Sequence, residues 1–177
     1  MEREAWLDGK LVDFAPLVMP AAHALVQARV DLERFATDLS DEELTARPND
    51  SPSVTFHLRH IAGSIDRLLT YARGEELNET QFDCLKLETA NDSILNAAEL
   101  TQKAAAEINH ALETLKNILP EDLFAERLVG REKLPTNVFG LLFHIAEHTA
   151  RHVGQIVTIA KIVGAKTSGQ SNDERRI

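Results

Sequence analysis

The stretch "LLFHIAEHTARHVGQIVTIAKIVG", residues 141–164, decides the fold because it has the periodicity of one long amphipathic helix. On a helical wheel of about 100° per residue, its apolar residues form a stripe consisting of Leu141, Ile145, Ile156, Ile159 and Val163. His148 and His152 fall inside this stripe, whereas His144 and Gln155 lie at its edge. The pattern therefore predicts a helix that turns two histidine side chains towards the protein core.

The rest of the chain predicts three more long helices, over about 15–39, 51–74 and 91–119. The helix that carries the histidines is predicted to begin at Thr136, as its N-cap, and to end at Gly164, as its C-cap. Four amphipathic helices in a chain of this length predict an all-α protein with the architecture of a four-helix bundle. The loops are long enough for either up-down or crossover topology.

The segments between the long helices predict little regular structure. Ser51 is the expected N-cap of the second helix, with Pro52 at its first helical position. Short helical turns are predicted at 41–44 and 79–85, and "PEDLFAERLVGREKLP", residues 120–135, is predicted to be an irregular loop. No stretch of the sequence predicts a β-strand.

Composition narrows the class of protein. A chain of 177 residues suits one domain over 1–177, with a helical core at about 15–164 and a polar C-terminal tail at 165–177. The net charge of -9 argues against nucleic acid as a partner, since phosphate backbones select basic surfaces. We expect no membrane span and no signal peptide, because no run of about eighteen apolar residues exists and the N-terminus is acidic. A single cysteine, Cys84, is consistent with a reducing cytoplasm.

The inward-facing pair His148 and His152 has two interpretations. Imidazoles four residues apart on one helix can bind one metal ion, but such a site needs at least a third protein ligand. Otherwise they are core histidines whose nitrogens are satisfied by hydrogen bonds. The second helix offers His57 and His60 in "VTFHLRHIAGS", residues 54–64, and the wheel places His57 closer to the apolar stripe.

Two stretches together resemble the DinB superfamily, the DinB/YfiT-like metalloproteins. They are "SVTFHLRHIAGSIDRLL", residues 53–69, and "HIAEHTARHVGQI", residues 144–156. The family pattern has a histidine six residues after the valine that opens the second helix, and His-x-x-x-His-x-x-Gln in the last helix. The resemblance implies a DinB-type four-helix bundle in which His60, His148 and His152 bind a divalent metal. It thus selects His60 over His57.

The resemblance also implies a function. Three imidazoles would hold zinc or nickel, or else iron or manganese, with positions left for water or substrate. The protein would be a metal-dependent thiol transferase or hydrolase that directs a low-molecular-weight thiol or water against a small electrophile. Gln155, His144 and His57 would orient the ligands, and the protein would be a cytoplasmic homodimer. Asp66 and Arg67 are expected to be an exposed pair on the second helix.

Two alternatives remain at the level of sequence. In the first alternative, the chain is a non-catalytic helical module whose histidines are structural and which serves dimerisation or a stress-related role. In the second alternative, the chain binds a structural metal with a closed shell, to which His144 or His57 supplies the fourth ligand.

Overall fold

The computed structural model describes residues 3–90 and 96–173, with side chains through residue 164, and this part of the chain is mainly helical. Its four long helices are α1 (Met19–Ala36), α3 (Val54–Ala72), α5 (Ala97–Asn117) and α6 (Val138–Asp173). Two short helices, α2 (Asp41–Thr45) and α4 (Glu79–Leu87), lie in the connections, and single 3₁₀ turns occur at Ala5–Leu7, Pro48–Asp50 and Pro120–Asp122.

The long helices surround one hydrophobic core. Helix α1 packs against α5 and α6, and α3 packs against the same two helices, so α1 and α3 lie at opposite corners. Leucine, isoleucine, valine and alanine fill the space between them, and the largest fully buried side chains include Leu25, Leu32, Leu58, Ile61, Ile65, Leu69, Ile108, Leu115, Leu142 and Ile145. The prediction of an all-α protein is confirmed, although the described residues form six α-helices rather than four.

Helix α3 begins and ends through local hydrogen bonds. Ser53, rather than the predicted Ser51, is its N-cap, and the Ser53 hydroxyl accepts from the Phe56 N–H at 3.2 Å. At the other end Gly74 adopts a φ of 79°, and the Glu75 N–H donates to the Thr70 carbonyl at 3.1 Å. This pattern is a Schellman motif, which glycine permits because it has no Cβ.

A β-hairpin precedes α6 where the sequence predicted an irregular loop. Strands β1 (Glu126–Val129) and β2 (Leu134–Asn137) pair antiparallel, with Glu126 opposite Asn137. The prediction failed because strands of four residues, exposed on alternate or successive positions, carry too little periodicity to be recognised. The hairpin contacts α3 through β1 and delivers the chain directly into α6.

The hairpin also moves the start of α6. Thr136 lies in β2, and the helix cap is Asn137, whose Oδ1 accepts from the Gly140 N–H at 2.7 Å. The predicted end at Gly164 is wrong as well, since the helix continues to Asp173. Gly164 does not have a positive φ, so it does not adopt the left-handed conformation that is typical of glycine after a helix end.

We expect Asn137→Ala to lower the free energy of unfolding by about 1 kcal/mol, the usual effect of losing an N-cap. Thr136→Ala, the matched control, should have a smaller effect because the Thr136 side chain does not cap the helix. Urea denaturation of both variants measures the difference. Equal losses for the two variants would contradict the assignment of Asn137 as the cap.

The start predicted for the third helix, at about residue 91, falls outside the described residues. Helix α5 begins at Ala97, and Asn96 and Glu99 form a capping box at its N-terminus. In the part of the chain that the structure describes, we find no helix with the length and apolar character needed to cross a bilayer.

Candidate metal centre

Three imidazoles meet where α3 packs against α6. His60 comes from α3, and His148 and His152 come from adjacent turns of α6. One ring nitrogen from each lies within 4.8 Å of those of the other two, and the Nε2 atoms of His60 and His148 are 2.9 Å apart. The ring centroids of His152 lie 4.5 Å from those of both His60 and His148. We call His60, His148 and His152 the histidine cluster.

His57 lies behind the cluster and is the most deeply buried of these histidines, with 1% of its surface exposed. Its Nδ1 is 2.8 Å from Nδ1 of His152, so one of these rings donates and the other accepts. Among the three histidines of the cluster, His57 is hydrogen-bonded to His152. Phe56 stacks on His60, with ring centroids 5.5 Å apart, and covers the cluster on the α3 side.

Burial keeps the imidazoles of His57, His148 and His152 neutral. Burial, assisted by the nearby His60, lowers the pKa of His57 to about 4. The same two causes, with burial again the larger, lower the pKa of His148 to about 4 and that of His152 to about 3. Neutral imidazole is the form that binds metal ions. At neutral pH the rings of His57, His148 and His152 therefore each have a nitrogen lone pair.

A buried carboxylate stands beside His60. Glu88, only 5% exposed, follows the last turn of α4, and its Oε2 lies 2.7 Å from Nδ1 of His60. Its other oxygen, Oε1, lies 2.8 Å from a guanidinium nitrogen of Arg67. The Arg67 side chain is 11% exposed, so it is not the surface residue that the sequence predicted.

Sequence reasoning missed Glu88 altogether. It is 28 residues from His60 and lies in a connector, and no helical period relates the two. One signal was present for Arg67, because the wheel places His60 and Arg67 on one facet of α3. The glycine between them, Gly63, is a second signal, since a glycine inside a helix needs a reason.

Three other polar residues of α6 near the cluster, His144, Arg151 and Gln155, are exposed. His144 is 47% exposed, pairs with Glu147 through Nδ1 at 2.7 Å, and stacks its ring 5.1 Å from that of His148. Arg151 also donates to Glu147, and this hydrogen bond lowers the pKa of the carboxyl. Gln155 is exposed on α6 and makes no hydrogen bond to the histidine cluster among the described residues.

The histidine cluster fits a metal ion in both chemistry and spacing. Ligand nitrogens on one tetrahedral zinc ion are about 3.3 Å apart when each Zn–N bond is about 2.0–2.1 Å, close to the 2.9 Å between His60 and His148. Nδ1 of His148 and Nε2 of His57 are buried without a hydrogen-bond partner among the described residues. A second group, His144, Glu147 and His148, is also close enough to hold an ion, but it is more exposed.

Fold and cluster together define a class: helical proteins in which histidines of two packed helices form a site that could hold a divalent metal ion. The sequence profile of the DinB superfamily matches residues 24–156, a range that includes the whole cluster, and the chain belongs to this superfamily. No curated protein matches the chain significantly.

Proposed function

We propose that the protein is a metal-dependent enzyme in which His60, His148 and His152 hold a divalent ion. The single observation that carries this proposal is the convergence of three half-buried imidazoles from two helices, although His60 and His148 are 88 residues apart in sequence. Without a ligand, the 2.9 Å contact between Nε2 of His60 and Nε2 of His148 requires a proton on one of the two atoms. A metal ion uses all three lone pairs at once.

The chain's own residues prepare the cluster in two ways. His57 is buried against His152, so it restricts the rotation of that ring. Phe56 covers His60 and keeps water away from one side of the cluster. When bound, a divalent ion would supply Lewis acidity, which lowers the pKa of a water or thiol placed beside it. Zinc or nickel suits three imidazoles best, and iron or manganese would also bind.

For the reaction we propose the attack of a low-molecular-weight thiol, or of water, on a small electrophile. A cavity of about 910 Å³ between α3, α4 and the hairpin could admit such a substrate, although no histidine of the cluster lines it. Arg67, the residue that pairs with Glu88, lines this cavity together with Tyr71 and Arg127. A cavity of this volume is within the range of small-molecule sites.

Metal binding is tested on protein purified without an affinity tag and reconstituted with zinc or nickel. We expect one ion per chain by elemental analysis, and a melting temperature that falls when a chelator removes it, because a ligand of the native state raises stability. Thiol-consumption assays with small electrophiles then test for catalysis. A reconstituted protein that retains no stoichiometric ion would exclude the proposal.

A closed structural site is the second candidate. It requires His57, which contacts His152 but lies outside the group of converging nitrogens, to turn towards the ion as a fourth ligand. X-ray absorption of the zinc-loaded protein distinguishes the two cases by the number of imidazoles bound. Three imidazoles and an oxygen or sulfur ligand indicate an open site. Four imidazoles in the wild type, reduced to three in His57→Gln, would establish the closed site.

A further inference from the structure

We propose that Glu88 is a positioning residue that fixes the tautomer of His60. Arg67 on α3 holds Glu88 in place by an ion pair, and Gly63 on the same helix leaves the space that this pair occupies. The inference deepens the proposed metal site and rests on it, because the consequence of the tautomer is the availability of His60 Nε2. Glu88 touches neither metal nor substrate in this arrangement and acts only through His60.

The hydrogen bond determines where the proton of His60 resides. A carboxylate only accepts, so Nδ1 of His60 must be the donor in its 2.7 Å contact with Glu88. A neutral ring then has its lone pair on Nε2, the nitrogen that lies 2.9 Å from Nε2 of His148. When the second ring nitrogen of a metal-binding histidine donates its N–H to a carboxylate, the hydrogen bond orients the ring and makes it a more basic ligand.

Arg67 makes the buried carboxylate stable. A carboxylate with 5% exposure is unfavourable unless it is paired and hydrogen-bonded. Glu88 accepts a hydrogen bond from His60 through Oε2 at 2.7 Å, and its Oε1 forms an ion pair with Arg67 at 2.8 Å, a contact that lacks hydrogen-bond geometry. The guanidinium therefore compensates the charge of Glu88 without competing for the oxygen that faces His60.

The space for this pair is made by Gly63. A Cβ at position 63 would lie 2.6 Å from Oε1 of Glu88 and 2.7 Å from Nη1 of Arg67, closer than real contacts allow. Both atoms are the ends of flexible side chains, so an added methyl group would displace the Glu88–Arg67 pair from α3 rather than distort the backbone. A glycine inside a helix lowers its stability relative to alanine, and at this position the room for Glu88 explains its presence.

The connector is anchored independently of Glu88. Arg59 donates to the carbonyls of Leu87 and Ala90, each at 2.9 Å, on either side of Glu88. Gln81, buried on α4, donates to Asp66 at 2.8 Å. Because other contacts already dock α4 on α3, the carboxylate of Glu88 is not required merely to attach the connector.

The test compares Glu88→Gln with wild type, using zinc as the probe and a chromophoric chelator as competitor. We expect zinc affinity to fall by about 10- to 100-fold, the usual effect of removing a carboxylate behind a metal-binding histidine. Nitrogen-15 NMR of the metal-free protein should show His60 protonated on Nδ1 in wild type and a changed tautomer population in Glu88→Gln.

Matched glycine variants provide the control. Gly63→Ala should weaken zinc binding in the same direction, because its methyl group displaces Glu88. Gly154→Ala, on α6 with nothing within 4 Å of an added Cβ, should leave affinity unchanged. Gln81→Ala loosens α4 without touching His60, so it should lower stability but preserve the tautomer.

The outcomes separate this inference from the metal site itself. Wild-type protein that binds no zinc removes the proposed function, while the NMR measurement still tests the Glu88–His60 hydrogen bond. If wild type binds zinc but Glu88→Gln binds it equally well, or if His60 is protonated on Nε2 in the metal-free wild type, the positioning role is overturned. An equal loss of affinity in Gln81→Ala assigns Glu88 a structural role only.

Discussion

His152→Ala is expected to abolish stoichiometric metal binding, with a loss of affinity greater than the 10- to 100-fold that follows removal of a residue behind a ligand. The alanine removes one of the three proposed ligand nitrogens and leaves two, too few for a tetrahedral or open catalytic site. Isothermal titration with zinc, at equal protein concentrations, measures the change. Circular dichroism checks that α6 remains helical.

His144→Ala is the matched control for this result. His144 is on the same helix, is also four residues from His148, and belongs to the alternative group formed with Glu147. Since its side chain is 47% exposed and lies outside the histidine cluster, we expect near wild-type affinity. The reverse outcome, with binding lost in His144→Ala and kept in His152→Ala, assigns the ion to the outer group instead.

His152→Ala also has a structural consequence that must be distinguished from the loss of metal. It removes the hydrogen-bond partner of His57 Nδ1, a buried polar atom, and an unsatisfied buried group typically costs about 1–3 kcal/mol. His152→Gln retains a polar side chain on the same turn while removing the imidazole. If both variants lose the metal but only the alanine variant is markedly destabilised, the two effects of His152 are separate.

The second large effect expected is the loss of stability of the metal-free protein in mild acid. His57, His148 and His152 have folded-state pKa values of about 4, 4 and 3, against 6.5 for an unperturbed histidine. Above pH 6.5 they are neutral in both states. As the pH falls below 6.5 the unfolded chain binds protons that the folded protein does not, so the free energy of unfolding falls until the folded-state pKa values are reached.

The magnitude is clearest for His57, which is 1% exposed. Between pH 6.5 and 5, a separation of 1.5 pH units at about 1.4 kcal/mol per unit amounts to about 2 kcal/mol. Urea denaturation in the presence of chelator, at pH 7 and pH 5, measures the difference. His57→Gln should show a smaller difference between the two pH values than wild type does.

An exposed histidine serves as the control for acid sensitivity. His110 lies on α5 with 54% of its side chain exposed, away from the histidine cluster. His110→Gln should therefore retain the wild-type dependence on pH. If His57→Gln and His110→Gln both behave as wild type does, the burial of His57 does not contribute to acid sensitivity.

Much of the helical scaffold could be read from local patterns. The apolar stripe of α6 is buried as predicted, and His148 and His152 lie on it. Such stripes can be recognised in a sequence because side chains three and four residues apart share one face of a helix. The short helices at 41–44 and 79–85 were also predicted, within one or two residues of α2 and α4. The prediction of helix ends was less accurate, as at Ser53 and Asn137, because several neighbouring polar residues could serve as each cap.

What a sequence carries by itself, then, is the set of helices and the face on which each histidine lies. Only the tertiary structure decided which of these faces meet. The contact of His57 with His152 spans 95 residues, and that of His60 with Glu88 joins a helix to a connector. Helical periodicity is a property of neighbouring turns, whereas the rotation of α3 against α6 and the path of the chain after α4 depend on the packing of the whole core. For this reason the inward orientation of His148 and His152 could be predicted from their spacing. The contact of Glu88 with His60 depends on the packing of α4 against α3 and could not be predicted.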